Sequence, residues 1–248
     1  MNTTSILPLK LRDVSYTVGG NPLIRNVSVS LAPESRTIIL GPNGAGKSLL
    51  LRLCHGLIKP TAGSIIWQEA PDENTSNFQA MVFQRPVMLR RSVAANIAYV
   101  LSLHKIPKPK HTALIDEALT LAGLTKLAHR PARVLSAGEQ QKLALARAWV
   151  MKPQVLFLDE PSANLDPGAT HAVEETIEQI HEHGTKIIMT THDLGQARRL
   201  ADEVLFFHQG RMIEQTPART FFGQPRSDLA QAFLRGELLW QTDHDVAS

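Results

Sequence analysis

Nearly unbroken apolar runs alternate along this chain with segments whose apolar residues recur at helical spacing. Thr37-Ile-Ile-Leu40, Val155-Leu-Phe-Leu158 and Lys186-Ile-Ile-Met189 are such runs. They are expected of strands in a parallel sheet covered on both faces. Between the last two, Val173, Ile177 and Ile180 share one helical face, which predicts a β-α-β unit. Leu49, Leu50, Leu51 and Leu53 predict a helix that Gly56 stops. Residues 6–40 read as short β runs, with Gly19-Gly20-Asn21-Pro22 marking a turn between two of them. Ile65-Ile66-Trp67 and Ala80-Met-Val-Phe83 read as further strands.

From Pro86 to Pro153 the texture turns helical. Ser92 is placed to cap a helix carrying Val93, Ile97, Val100 and Leu101. A second helix spans about His111 to Ala122 and stops at Gly123. Val204-Leu-Phe-Phe207, the Gln209-Gly210 pair and Met212-Ile213 predict a hairpin, and the tail from Pro217 is partly helical. No internal repeat or low-complexity segment appears. The pattern therefore predicts one α/β domain over 1–248, interrupted by a helical insert. The core is expected at 1–83 and 154–215, the helical subdomain at 84–153 and a tail at 216–248.

Composition adds limits. With 43% hydrophobic residues the chain can bury a substantial core. Its 26 basic and 23 acidic residues give a net charge of +3 without a long basic stripe, so no nucleic-acid partner is expected. Lys105-Ile-Pro-Lys-Pro-Lys110 reads as a solvated loop. The single cysteine, Cys54, excludes an intrachain disulfide and reads as a packed core thiol. The N-terminus lacks the continuous apolar region of a signal peptide. No run of about 18 apolar residues is present to span a membrane. A cytoplasmic chain is expected, one that can still dock on an embedded partner.

Gly41-Pro-Asn-Gly-Ala-Gly-Lys-Ser48 fits G-x-x-x-x-G-K-[ST] at every fixed position, between a predicted strand and a predicted helix. In that context the glycines let backbone N–H groups turn inward, and the helix N-terminus adds partial positive charge. Gly41, Pro42, Asn43, Gly44, Ala45 and Gly46 would form a phosphate cradle. Lys47 can reach the β- and γ-phosphates, and Ser48 can ligate Mg²⁺. Val155-Leu-Phe-Leu-Asp-Glu160 ends an apolar strand in two carboxylates, where open α/β sheets bind ligands. Asp159 is placed to hold Mg²⁺, and Glu160 to orient or deprotonate an attacking water.

Leu135-Ser-Ala-Gly-Glu-Gln-Gln-Lys142 opens a helix, and Ser136 and Glu139 have the spacing of a capping box. Taken alone, the box explains both residues. Taken with the phosphate loop and the paired carboxylates, the chain resembles the nucleotide-binding subunits of ABC transporters, whose signature is Leu-Ser-Gly-Gly-Gln. It departs from that signature at Ala137 and Glu139, and keeps Ser136 and Gly138. An acid at position 139 brings negative charge near a phosphate unless capping turns it away.

The resemblance implies a P-loop NTPase (RecA-like) core of α/β type, with an antiparallel β subdomain and an inserted α-helical subdomain. It implies ATP and Mg²⁺ as cofactors and ATP hydrolysis coupled to transport. Gln84 stands at the family's Q-loop glutamine, a Mg²⁺ and water sensor. Ser162-Ala-Asn-Leu-Asp166 matches the D-loop, whose Asp166 faces the partner subunit. His192 matches the switch histidine at the γ-phosphate, whereas His181 and His183 make a poor metal pair. The family places an aromatic residue on adenine where this chain has Val18. Either Tyr16, two residues away, substitutes, or adenine is held by apolar contact alone.

The resemblance further implies a head-to-tail homodimer with two ATP molecules at its interface. The signature of one subunit, at Ser136 and Gly138, would close the phosphate site of the other. Residues 84–104, with Arg90 and Arg91, would receive a short helix from an integral membrane permease. A peripheral location on the inner face of the cell membrane follows, with an extracytoplasmic substrate-binding protein as indirect partner. The length leaves no room for the C-terminal regulatory domain of sugar importers. The tail from Phe221 to Trp240 is similar to that of the tungstate-type oxyanion group. Phosphate or polar amino acid import, or a soluble ABC ATPase, are the alternatives.

Overall fold

The computed structural model describes residues 5–68 and 75–237. Three of its strands are the apolar runs: β3 (Thr37–Leu40), β6 (Val155–Asp159) and β7 (Lys186–Thr191). They lie in a six-stranded sheet with β5 (Gln79–Val82), β8 (Glu203–His208) and β9 (Arg211–Pro217), in the order β5-β6-β7-β3-β8-β9. Neighbours from β5 to β8 are parallel, and β9 closes the edge as the antiparallel arm of the expected hairpin.

Both faces of this sheet are buried, and strand alternation divides its residues between two clusters. Ile38, Leu40, Leu156, Leu158, Ile187, Met189, Val204 and Phe206 face one cluster. Ile39, Val155, Phe157, Ile188, Leu205 and Phe207 face the other. On the first face lie α5 (Pro167–Glu182), α6 (Leu194–Leu200) and α4 (Ala137–Trp149). On the second lies α1 (Lys47–His55), where Leu50, Leu51, Leu53 and Cys54 are buried.

The second face is completed by a three-stranded antiparallel sheet of β2 (Asn21–Leu31), β1 (Leu9–Val18) and β4 (Ala62–Trp67), in that order. Leu9, Leu11, Val14, Ile24, Val27, Val29 and Leu31 share the cluster of α1. The turn between β1 and β2 is Gly19-Gly20 alone; Asn21 and Pro22 already pair with Val18 and Thr17.

The helical insert holds α2 (Val93–Leu103), α3 (His111–Leu121) and α4. Ser92 caps α2 by accepting from the Ala95 N–H at 3.2 Å. The insert is not a separate core: Val93, Ile97, Leu101, Leu119 and Leu143 belong to the cluster of Ile38 and Leu40. The tail packs through α7 (Ala218–Gly223) and α8 (Asp228–Leu234), where Phe221 and Phe233 meet Phe206. The part of the tail from residue 238 onward lies outside the described residues. Among the described residues, no helix is long and apolar enough to cross a membrane.

Candidate active site

The loop 41–46 connects β3 to α1, at the carboxyl end of the sheet. Gly41 lies so close to the Phe207 carbonyl that a β-carbon there would collide with it. Gly46 caps α1 with φ 102°, a left-handed geometry that favours glycine. These two positions hold the backbone curl that presents the first N–H groups of α1.

Lys47 is buried at 4% exposure, and its Nζ donates to the carbonyls of Gly41 at 2.9 Å and Pro42 at 3.0 Å. Burial lowers its pKa from the ordinary lysine value, with Glu160 and Asp159 opposing that shift. The ammonium thus bridges the loop and stands 3.6 Å from Glu160 Oε1.

Asp159 ends β6 and is 5% exposed. Its Oδ1 accepts from Ser48 Oγ at 2.6 Å and from Thr190 Oγ1 at 2.9 Å. Arg52 approaches its Oδ2 at 3.9 Å. Glu160, the next residue, takes a left-handed φ of 45° and turns its side chain away from that of Asp159. Its N–H donates to the backbone and hydroxyl oxygens of Thr190, at 3.2 and 3.1 Å. Its Oε2 lies 3.1 Å from His192 Nδ1. Lys47, Ser48, Asp159, Glu160 and His192 are therefore one connected group.

Two clefts meet at Glu160. The first, of about 360 Å³, is lined by Leu23, residues 43–49, Arg52 and Glu160. The second is lined by residues 162–165, Thr170, residues 191–193, Gln196 and Glu160. In the second, Asp166 caps α5 by accepting from the Ala169 N–H at 2.9 Å. Gln196 Nε2 donates to Ser162 Oγ at 2.6 Å and to the buried Glu174 at 3.1 Å.

Other predicted residues lie apart. Ser136 and Gly138 border neither cleft. The capping box is present: Ser136 Oγ accepts from the Glu139 N–H at 3.3 Å, and Glu139 Oε2 accepts from the Ser136 N–H at 2.8 Å. The charge of Glu139 is thereby turned onto its own helix terminus. Gly138 is buried, and a β-carbon there would stand 2.8 Å from Ala169 Cβ. Gln84 is exposed, two residues beyond β5, because the strand stops at Val82 and not at Phe83. Tyr16 packs against the cluster of Ile24 and Leu50, and Val18 is 52% exposed.

The loop after β5 borders a separate groove lined by residues 80–83 and 85–87, Val100, Ala144, Arg147 and Ala148. Arg147 donates to the Val87 carbonyl at 2.7 Å. Arg90 and Arg91 do not line it, and the Arg91 guanidinium instead covers the Tyr99 ring at 5.2 Å.

Leu23, Arg52, Thr190 and Gln196 were not singled out by the sequence pattern. Thr190 carried the one available signal, a hydroxyl inside an apolar strand next to the paired carboxylates. The other three are placed by long-range packing.

A glycine-rich loop between strand and helix, a buried lysine and a carboxylate at the adjacent strand end define a P-loop nucleotide-binding ATPase. Comparisons narrow the class. Residues 24–163 match the family model described as ABC transporter. The chain is 31% identical to the phosphate import ATP-binding protein PstB 2 of Natronomonas pharaonis, over 94% of this chain and 88% of that one. It is 32% identical to the Fe(3+) ions import ATP-binding protein FbpC of Pasteurella multocida, over 94% of this chain and 68% of that one. The structure of cbiO1 from Clostridium perfringens, part of the ABC transporter complex cbiONQ, superposes with a TM-score of 0.80 at 30% identity. That superposition covers 87% of this chain and 90% of cbiO1. This chain belongs to the ABC transporter family, as an ATP-binding ATPase.

Proposed function

We propose that this chain is the ATP-hydrolysing subunit of an ABC importer, working as a head-to-tail homodimer with two ATP molecules at its interface. One observation carries the dimer: the cleft around Lys47 is walled by the phosphate loop, Leu23, Arg52 and Glu160, while Ser136 and Gly138 lie elsewhere. A second copy, related by a two-fold axis, would bring its signature helix to the open side.

The backbone N–H groups of the loop and Lys47 bind the phosphates and offset their charge. Ser48 Oγ and Asp159 Oδ1, 2.6 Å apart, are the hard oxygen donors that Mg²⁺ takes, with Gln84 as a further sensor. When bound there, Mg²⁺ would neutralise charge on the phosphate oxygens. Glu160 holds the attacking water and accepts its proton. His192, held by the same carboxylate, faces the γ-phosphate. Hydrolysis removes the phosphate that ties the two halves, and they part.

That motion is passed to an integral membrane permease through the groove around Val87 and Arg147. The chain would sit on the cytoplasmic face of the cell membrane, with an extracytoplasmic binding protein delivering cargo to the permease. The resemblance of the tail from Phe221 supports a tungstate- or molybdate-type oxyanion. A second reading, phosphate, is favoured by the relatives named as phosphate importers. ATPase measurements on the complete transporter with its binding protein separate them. Stimulation by tungstate or molybdate supports the first, and stimulation by phosphate alone the second.

A further inference from the structure

The apolar wall of the phosphate-loop cleft comes from Leu23. Between β1 and β2 the register passes from Tyr16↔Ile24 to Thr17↔Pro22, so Leu23 is the extra residue of a bulge. A bulge re-aims a side chain out of the regular alternation. Here it brings Leu23 to the cleft beside residues 43–49, with 39% of its surface exposed.

The bulge is clamped from two sides. The Leu23 carbonyl lies so close to Gly210 that a β-carbon there would collide with it, and it stands 3.3 Å from the β-carbon position of Gly46. The Arg25 N–H donates to the Gly210 carbonyl at 2.8 Å, and the Gly210 N–H donates to the Ala45 carbonyl at 2.8 Å. The end of the β1–β2 hairpin, the β8–β9 turn and the phosphate loop are thus locked together. Tyr16 is committed to packing against the hairpin's own cluster.

We propose that Leu23, assisted by Val18 at the hairpin end, is the surface on which the nucleotide base rests, in place of an aromatic stack. The proposal deepens the reading that this cleft binds ATP and rests on it. An exposed leucine fixed beside a phosphate cradle is apolar area that a flat base covers, and removing that area from water supplies affinity. The aliphatic surface offers no hydrogen-bonding group to the edge of the base. Selectivity therefore lies in the triphosphate.

The test is steady-state ATPase and direct nucleotide binding on wild type, Leu23→Ala, Leu23→Gln and the control Leu57→Ala. Leu57 is an exposed leucine outside the cleft. Both Leu23 variants should raise KM and the dissociation constant for ATP about tenfold, with kcat at saturation unchanged. Competition by inorganic triphosphate, which has no base, should be the same for every variant. Val18→Tyr added to Leu23→Ala should restore ATP affinity. ATP affinity at the wild-type value in both Leu23 variants would overturn the proposal. So would parallel loss of triphosphate and ATP binding, because Leu23 would then only prop the loop. A wild-type protein that binds neither ATP nor triphosphate would overturn the nucleotide reading beneath it as well.

Discussion

Nδ1 of His192 lies 3.1 Å from Oε2 of Glu160, while Oε1 of the same carboxylate stands 3.6 Å from Lys47 Nζ. One side chain thereby joins the phosphate loop of β3–α1 to the end of β7. Its orientation follows from the left-handed φ of 45° at Glu160, held by two hydrogen bonds from its N–H to Thr190. A strained backbone at that point is consistent with a site held in place by its surroundings.

Lys47→Ala should lower ATP turnover by at least about 100-fold. Lys47 is the only cationic side chain within the loop itself, and its two carbonyl partners show that it also holds the loop's shape. Phosphate release measured with purified protein checks this. Turnover close to wild type would remove the site from the loop.

Gly138→Val should destabilise the fold by about 1–3 kcal/mol, because the added β-carbon meets Ala169 Cβ at 2.8 Å and forces α4 away from α5. Adding Ala169→Gly should recover part of that loss. Chemical denaturation of the single and double variants gives the coupling. No coupling would mean that α4 and α5 are not in tight contact at this point.

Lys186 gives the stability a distinctive pH dependence. It is fully buried between β3 and β7, and its Nζ donates to Ser35 Oγ at 2.9 Å, to Thr37 Oγ1 at 2.8 Å and to the Ser35 carbonyl. Burial lowers its pKa to about 8, against the opposing pull of Glu203 and Asp202. Between about pH 8 and the ordinary value of 10.5, the unfolded chain keeps a proton that the folded chain has released. Stability therefore rises with pH in that window. Cys54 works in the opposite sense, because burial raises its thiol from 9.0 to about 12 and stability falls between those values. The interval from pH 8 to 9 isolates the lysine, where it should contribute a gain of roughly 1 kcal/mol. Comparing wild type with Lys186→Met by denaturation at both pH values checks it. Equal pH slopes in the two proteins would show that the lysine does not titrate there.

How much of this was legible beforehand depends on how local each feature is. The phosphate loop, the capping box at Ser136 and the strand ending at Asp159 are encoded within a few consecutive residues, and all were readable. The alternation of sheet faces was readable only as buried runs. Which residue meets which cluster needs the order of strands. Leu23 was not readable, because its bulge is clamped by Gly210, far along the chain. Lys186 passed as part of an apolar run, and its acceptors at Ser35 and Thr37 come from the neighbouring strand region. The extra charge of Glu139 raised a conflict that the capping geometry removes, since its carboxylate accepts from Ser136 N–H.

Glu160→Gln tests chemistry and assembly together. The substitution keeps the size of the side chain but removes the base, and such a loss typically costs about 10²–10⁴ in rate. ATP should still bind, because Lys47, Ser48, Asp159 and the loop backbone are untouched. Removing a negative charge 3.6 Å from Lys47 leaves that ammonium freer to pair with phosphate, which favours the nucleotide-bound form. The two-site sandwich should then persist where the wild type would hydrolyse and open. Light scattering should report a monomer without nucleotide and a dimer with ATP. Ser136 is exposed and borders neither cleft of its own chain, so a bulky Ser136→Arg should leave ATP binding intact. In the Glu160→Gln background it should dissolve the dimer, by blocking the phosphate site of the opposite copy. Normal hydrolysis by Glu160→Gln would exclude Glu160 as the base. A dimer that survives Ser136→Arg would place the signature outside the interface.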